Sequence, residues 1–394
     1  MWAKVLLYNY AGEEDEKMDL NFTMRRPEDK VMLALRSLYE LFGYRKYKVS
    51  NFEEYSLYLQ YKSFLSAEKI LSFTDLDGRL LALRPDVTLS IIKNAHENET
   101  AKAYYIEKVY RESKESNTFK EINQMGLEFM GRVDAYALAE TVLLAQKSLQ
   151  SCAECVAAEK PRDYILELGH MGFVMGLLEK LELLPNEREE VIDCLAAKSP
   201  HRLQAVMQDM GLSGADKQRL LCLADLAGPA PEVLQRAETI CSGKKMQIAL
   251  QELQEVYQAL DNEAQQHIRL DFSLLNATEF YDGILFSGYL DGLPRPLLSG
   301  GRYDSMMYKL GHDLGAIGFA VYLDELERLP LPPREFDVDV WLEPQAGADI
   351  GGLLAAVRGL TAEGQSVRVA AEWPAELRAR RHLLYCEGEG LKEC

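Results

Sequence analysis

The stretch VYRESKESNTFKEINQMGLEFMG, Val109–Gly131, decides the fold. Two runs rich in β-branched and aromatic residues flank the polar SKESNT, a pattern that predicts two antiparallel strands joined by a short loop. On the second strand Gln124, Gly126 and Glu128 stand at i, i+2 and i+4, so a period of two puts all three on one face. Met125, Leu127 and Phe129 form the opposite, apolar face. A face carrying an amide, a glycine and an acid is either solvated or the floor of a polar pocket, with Gly126 leaving room for a ligand. Arg111 closes the first strand beside it.

Toward the N-terminus, KILSFTDLDGRLLALRPDVTLSIIKNA (69–95) predicts strand, Asp77-Gly78 turn, strand, and a helix opening near Asp86. Asp86 and Thr88 at that strand-to-helix turn either cap the helix or accept hydrogen bonds from a ligand ammonium. Earlier, RRPEDKVMLALRSLYELFGY has Pro27, Glu28 and Asp29 in a first turn. Val31, Leu35, Leu38 and Phe42 follow at helical spacing, and Gly43 is the stop.

Toward the C-terminus, Asp134 is placed to cap the helix AYALAETVLLAQKSLQ. DYILELGHMGF reads as a strand. From about 172 to 266 the periodicity is helical, which predicts an insertion. Strand patterns return in IRLDFSLL, GILFSGYL, RPLLSGGRYD and GAIGFAVYLDELERL. LNATEFYDGILF (275–286) brings acids and aromatics to a strand edge, yet no cation lies between Arg269 and Arg295. LPLPPRE (329–335) reads as a linker. The tail, with DVDVWL, ADIGGLLAAVRGLTAEG and SVRVAAE, reads as a small βαβ-like unit. The expected architecture is α+β. An antiparallel sheet flanked by helices occupies residues 1–331, with the helical insertion inside it, and 332–394 form a small C-terminal α/β domain.

Composition narrows the function. Apolar residues make up 47% of the 394 and charged ones 27%, the profile of a globular protein. No apolar run reaches the roughly 18 residues of a membrane span. The N-terminus soon turns acidic and reads as no signal peptide. Seven cysteines without framework spacing fit a reducing cytoplasm. A net charge of −18, from 44 basic and 62 acidic residues, disfavours nucleic acid as the main partner. Cys152 and Cys155 have no second pair to complete a metal site, and none is expected. His170 lacks a nucleophile context and reads as structural. Gly300 and Gly301, before Arg302-Tyr303-Asp304, allow positive φ or close backbone approach.

The ordered motifs LRPDVT, VYRES…FKEINQMGLEFMG, LELGHMGF, FYDGILF, SGGRYD and GAIGFAVYLDELERL resemble the catalytic core of histidyl-tRNA synthetases, a class II family. They resemble even more closely the synthetase paralogues that serve as regulatory subunits of ATP phosphoribosyltransferase in histidine biosynthesis. The resemblance covers roughly residues 20–330. It implies a histidine pocket: Asp86 and Thr88 fall where the family binds the amino-acid ammonium, and Gln124 and Glu128 at histidine-contacting positions. Tyr281 falls at a pocket tyrosine, Tyr303 near the ligand, and Arg111 at the first motif 2 arginine.

The ATP side departs from the synthetases. Asn276, in NATEFY, replaces an arginine of an RGLDYY-like motif; Glu325 stands near the motif 3 arginine, with Arg328 three residues on; and Ser50 replaces the motif 1 proline. Adenylyl transfer needs cations at developing negative charge, and losing one such donor costs roughly a hundred- to a thousand-fold. The resemblance therefore implies a non-catalytic subunit without cofactor. It implies a partner, the short-form catalytic subunit, with L-histidine as effector and a homodimer within a hetero-oligomer. The alternative is a divergent histidine-activating enzyme. From Glu335 onward the tail holds 11 acids and six bases, a poor platform for tRNA.

Overall fold

The structure is a computed structural model and describes residues 26–61, 70–95, 99–113, 117–157, 160–275, 281–330, 336–373, 375, 377–388 and 390–394. Asn276, most of the linker stretch and the segment read for a signal peptide lie outside the described residues. The chain divides into a larger unit, Val31–Leu329, and a smaller one that holds Pro330–Cys394.

A nine-stranded sheet carries the larger unit. Its strands are β1 (Arg45–Lys46), β5 (Ala101–Ser113), β6 (Thr118–Gly131), β7 (Tyr164–His170), β8 (Ala227–Pro229), β9 (Ile268–Asp271), β10 (Ile284–Leu290), β11 (Leu298–Arg302) and β12 (Gly315–Tyr322). Their order is β1-β5-β6-β12-β11-β10-β7-β9-β8. All central pairings are antiparallel, as expected; the β1–β5 and β7–β9 pairs are parallel. A second sheet orders β2 (Phe52–Glu54), β4 (Leu80–Leu83) and β3 (Ser72–Thr74) as β2-β4-β3. Gly78, at φ +81, closes the β3–β4 turn, a conformation that favours glycine.

The VYRES…FMG stretch forms the antiparallel pair β5–β6, with Ala103 opposite Glu128, Tyr105 opposite Gly126 and Glu107 opposite Gln124. One face of the large sheet is covered by the helices Pro27–Leu41, Ala135–Cys155 and Lys244–Ala259, whose apolar stripes join a core with Phe286 and Phe319. Asp134 caps its helix as expected, accepting from the Ala137 amide at 3.0 Å.

The helix expected near Asp86 runs Thr88–Lys93, with the Asp86 carboxylate accepting from the Leu89 amide, and two other local expectations are corrected. The strand read through DYILELGHMGF ends at His170, and Met171 opens a helix whose N-cap is His170 itself. The insertion is not purely helical, because β8 pairs with β9; three residues, AGP, are too short to show a period.

In the smaller unit β13 (Val338–Pro344), β14 (Val367–Val369), β15 (Ala379–Cys386) and β16 (Gly390–Glu393) order as β14-β13-β15-β16. The helix Ile350–Ala362 packs on one side through Leu360, with Val340, Leu342, Leu383 and Tyr385 beneath.

Arg84 positions the site loop. Its guanidinium is fully buried and is satisfied by the Ser50 and Lys108 carbonyls and by Glu107 at 3.1 Å. It anchors the chain immediately before Pro85-Asp86-Val87-Thr88. Arg84→Ala removes the guanidinium from Glu107, which keeps the Val49 amide, and from the two carbonyls. Urea unfolding is expected to show a loss of about 3–5 kcal/mol; a loss below about 1 kcal/mol would contradict this anchoring role.

Candidate functional site

On the sheet face opposite the helical cover lies a cleft of about 590 Å3. All seven expected residues line it: Asp86, Thr88, Arg111, Gln124, Glu128, Tyr281 and Tyr303. They come from one loop and four strand regions, β5, β6, the approach to β10 and the end of β11, and the register of the sheet brings them together.

Glu128 is the centre. It is 2% exposed. The Thr88 hydroxyl donates to its Oε1 at 2.8 Å, and the Tyr303 phenol donates to its Oε2. Burial pushes the carboxyl up to about 8, although both hydroxyl donors pull it down. Gly318, its neighbour on β12, makes this placement possible: a Cβ there would fall 1.8 Å from Glu128 Oε2. Burial also raises the Tyr105, Tyr281 and Tyr303 phenols well above their ordinary range, with Glu128 adding to each shift.

Asp86 both caps and pairs. Its Oδ1 accepts from the Leu89 amide at 3.0 Å, and its Oδ2 faces Arg111 Nη2 at 3.4 Å. Arg111 Nε also donates to the Pro85 carbonyl at 2.7 Å. The arginine thus holds the Asp86 loop against the sheet. Gln124, 2% exposed, has a buried side-chain nitrogen with no hydrogen-bond partner among the described residues, a donor that a ligand acceptor would satisfy.

Two glycine expectations change. Gly126 does not leave room for a ligand: a Cβ there would meet the Tyr105 ring at 2.2 Å, so the aromatic side chain fills that space. The Gly300-Gly301 pair has no positive φ; both lie within β11, where Cβ atoms would strike Phe319, Phe286 and Tyr281. Sequence reasoning missed Tyr105 and Gly318, and a glycine inside a strand was the available signal for each.

The outer cleft is mixed in charge. Lys120, Arg295 and Arg328 line it together with Glu112, Glu121, Asp324 and Glu325. Cations are therefore present, although the stretch around Tyr281 supplies none. Glu325 takes up Arg328 at 2.9 Å, and Asp324 accepts from the Asn123 amide at 2.9 Å. The inner pocket offers acceptors flanked by aromatic rings, an arrangement for a small ligand that brings N–H donors or positive charge. His170 lies on the far side of the sheet and not in this cleft.

The family description "Histidyl-tRNA synthetase" matches residues 19–326. The ATP phosphoribosyltransferase regulatory subunit of Oceanobacillus iheyensis is 26% identical over 93% of this chain and 92% of its own length. That of Carboxydothermus hydrogenoformans is 30% identical over 66% of this chain and 80% of its own. Among solved structures, an ATP phosphoribosyltransferase regulatory subunit/histidyl-tRNA synthetase from Bacillus halodurans superposes with a TM-score of 0.73. It covers 87% of this chain and 88% of that one at 24% identity. A chain of the ATP phosphoribosyl transferase (HisG:HisZ) complex from Thermotoga maritima gives 0.59 at 18% identity, covering 75% and 97%. At these identities the two structures establish the fold, a class II synthetase-like sheet.

The buried carboxyl makes a pH prediction. Its pKa lies near 4.5 in the ordinary case and at about 8 here. The folded protein keeps a proton that the unfolded chain releases, so the stability it confers is fully present below about pH 4.5 and is lost as pH rises through about 8. Glu128→Gln removes the titration. Unfolding free energies from about pH 5 to about pH 8 are expected to fall in wild type relative to the variant by up to about 1.4 kcal/mol per unit. A flat difference would contradict the buried carboxyl with its raised pKa.

Proposed function

Because the chain belongs to the histidyl-tRNA synthetase family, in its branch of ATP phosphoribosyltransferase regulatory subunits, we propose that it is the non-catalytic member of an ATP phosphoribosyltransferase. In this reading it assembles with a short-form catalytic subunit, in the cytoplasm, and L-histidine is the effector. The observation that carries it is the Glu128 pocket. A carboxyl buried on Thr88 and Tyr303, with Asp86 and Gln124 nearby, suits an amino acid that brings an ammonium and an imidazole. The imidazole titrates near neutrality, so it meets a carboxyl either as a donor or as an acceptor.

The outer cleft favours binding over adenylate chemistry. Phosphoryl and adenylyl transfer require cations held free for the developing charge. Arg328 is engaged by Glu325, and Arg111 by Asp86 and Pro85.

A homodimer within the complex accounts for a further feature. Phe52 and Phe73 pack edge to face at 5.8 Å on the β2-β4-β3 sheet, half exposed, with Leu59, Leu76 and Leu80 also exposed. Apolar exposure of this kind marks an interaction surface.

The test is the ATP phosphoribosyltransferase rate of the cognate catalytic subunit, with and without this chain, across a histidine titration. Mixing is expected to activate the enzyme, and histidine to reverse the activation. Glu128→Gln is expected to keep the activation and to raise the histidine concentration for half-inhibition at least about 10-fold, the cost of losing a charged hydrogen-bond partner. Activation insensitive to histidine would remove the effector role. No activation, joined to ATP–pyrophosphate exchange with histidine, would replace the proposal with a histidine-activating enzyme.

A further inference from the structure

A second polar network lies on the opposite face of the sheet. His170, at the end of β7, is 5% exposed. Its Nδ1 accepts from the Gly172 amide at 3.1 Å, which leaves the proton on Nε2. Nε2 then donates to Glu252 Oε2 at 2.9 Å. Glu252 belongs to the insertion helix Lys244–Ala259, and its other oxygen takes Arg302 Nη1 at 3.2 Å. Arg302 Nε and Nη2 reach Asp304 at 2.9 and 2.7 Å. Burial raises the Glu252 carboxyl, but His170 and Arg302 outweigh that and hold it below its ordinary value.

Glycines clear the space for this network. A Cβ at Gly283 would sit 2.8 Å from the Arg302 side chain, and one at Gly172 would sit 3.1 Å from the His170 ring. No feature of the effector cleft uses His170, Glu252 or Arg302.

Arg302 and Tyr303 are consecutive at the end of β11 and point to opposite faces. The guanidinium is tied to the insertion helix, and the phenol is tied to Glu128. One short piece of backbone thus carries both anchors, and the Tyr303 amide is itself fixed to the Ala316 carbonyl at 2.9 Å.

We propose that Glu252 is a positioning residue for the effector pocket: through Arg302 it sets the place of Tyr303, and so couples the helical insertion to occupancy at Glu128. The coupling is reciprocal, as linkage requires. A ligand that engages Glu128 and Tyr303 stiffens the insertion helix, and loosening that helix weakens the ligand. The proposal rests on histidine as the ligand of the pocket.

The experiment titrates L-histidine into the full chain by calorimetry, using wild type, Glu252→Gln and Lys245→Gln. Lys245 lies on the same helix in an exposed pair with Glu179 and does not touch the network. Hydrogen exchange of residues 244–259 is followed with and without histidine. Glu252→Gln is expected to weaken binding about 10-fold and Lys245→Gln to leave it unchanged. In wild type, histidine is expected to slow exchange in the helix; in Glu252→Gln that slowing is lost. In a double-mutant cycle, Tyr303→Phe and Glu252→Gln are expected to be non-additive on affinity. Equal affinities in wild type and Glu252→Gln overturn the coupling while leaving the effector reading intact, as does unchanged exchange in wild-type protein that binds histidine. Absence of wild-type binding overturns both. The exchange comparison on wild type stands even where a variant fails to fold.

Discussion

A carboxyl group held inside a sheet is the constraint on which the rest of this structure turns. Glu128 reaches its place only because Gly318 on the neighbouring strand lacks a Cβ. It remains there because two hydroxyls, from a helix start and from the end of β11, converge on its two oxygens. Each donor needs its own support. Thr88 follows a loop pinned by the buried Arg84 and by Arg111. Tyr303 follows Arg302, which is tied across the sheet to the insertion. A buried acid is costly to ionise, and under the proposed function a ligand that brings positive charge would offset that cost.

The two ends of the cleft have different chemical characters. The inner end keeps acceptors, aromatic walls and an amide nitrogen, that of Gln124, without a partner among the described residues. The outer end contains cations, but the 3₁₀ turn Leu323–Arg328 brings Asp324 and Glu325 among them. A binding site requires only the first end. A synthetase needs both, with the outer cations free to meet phosphate. The difference between a family's enzymes and its regulatory members can therefore lie in a few side chains at one rim, with the fold unchanged.

Much of this was legible in the sequence. Period-two alternation in FKEINQMGLEFMG located β6 and put Gln124 and Glu128 on one face, and the family resemblance assembled the remaining pocket residues. The less legible features depended on long-range packing. Gly126 reads as space for a ligand until register sets Tyr105 opposite it. Gly300 and Gly301 read as positions of positive φ or close backbone approach, but they are strand positions where aromatic rings press on the backbone. His170 read as structural for want of a nucleophile context, and its partner Glu252, 82 residues away in the insertion, could not be seen in the local pattern. The cations of the outer cleft, Arg295 among them, were present in the sequence, but no local pattern tied them to Tyr281.

The central claim is that Glu128 recognises histidine in a pocket that no longer activates it. Calorimetric titration of L-histidine into the isolated protein, wild type beside Glu128→Gln, tests this most directly. The account predicts saturable one-to-one binding to wild type and a loss of at least about 10-fold in the variant, in keeping with the roughly 1.5–3 kcal/mol that a hydrogen bond to a charged group contributes. Equal binding to the two proteins, or none to the folded wild type, would contradict it.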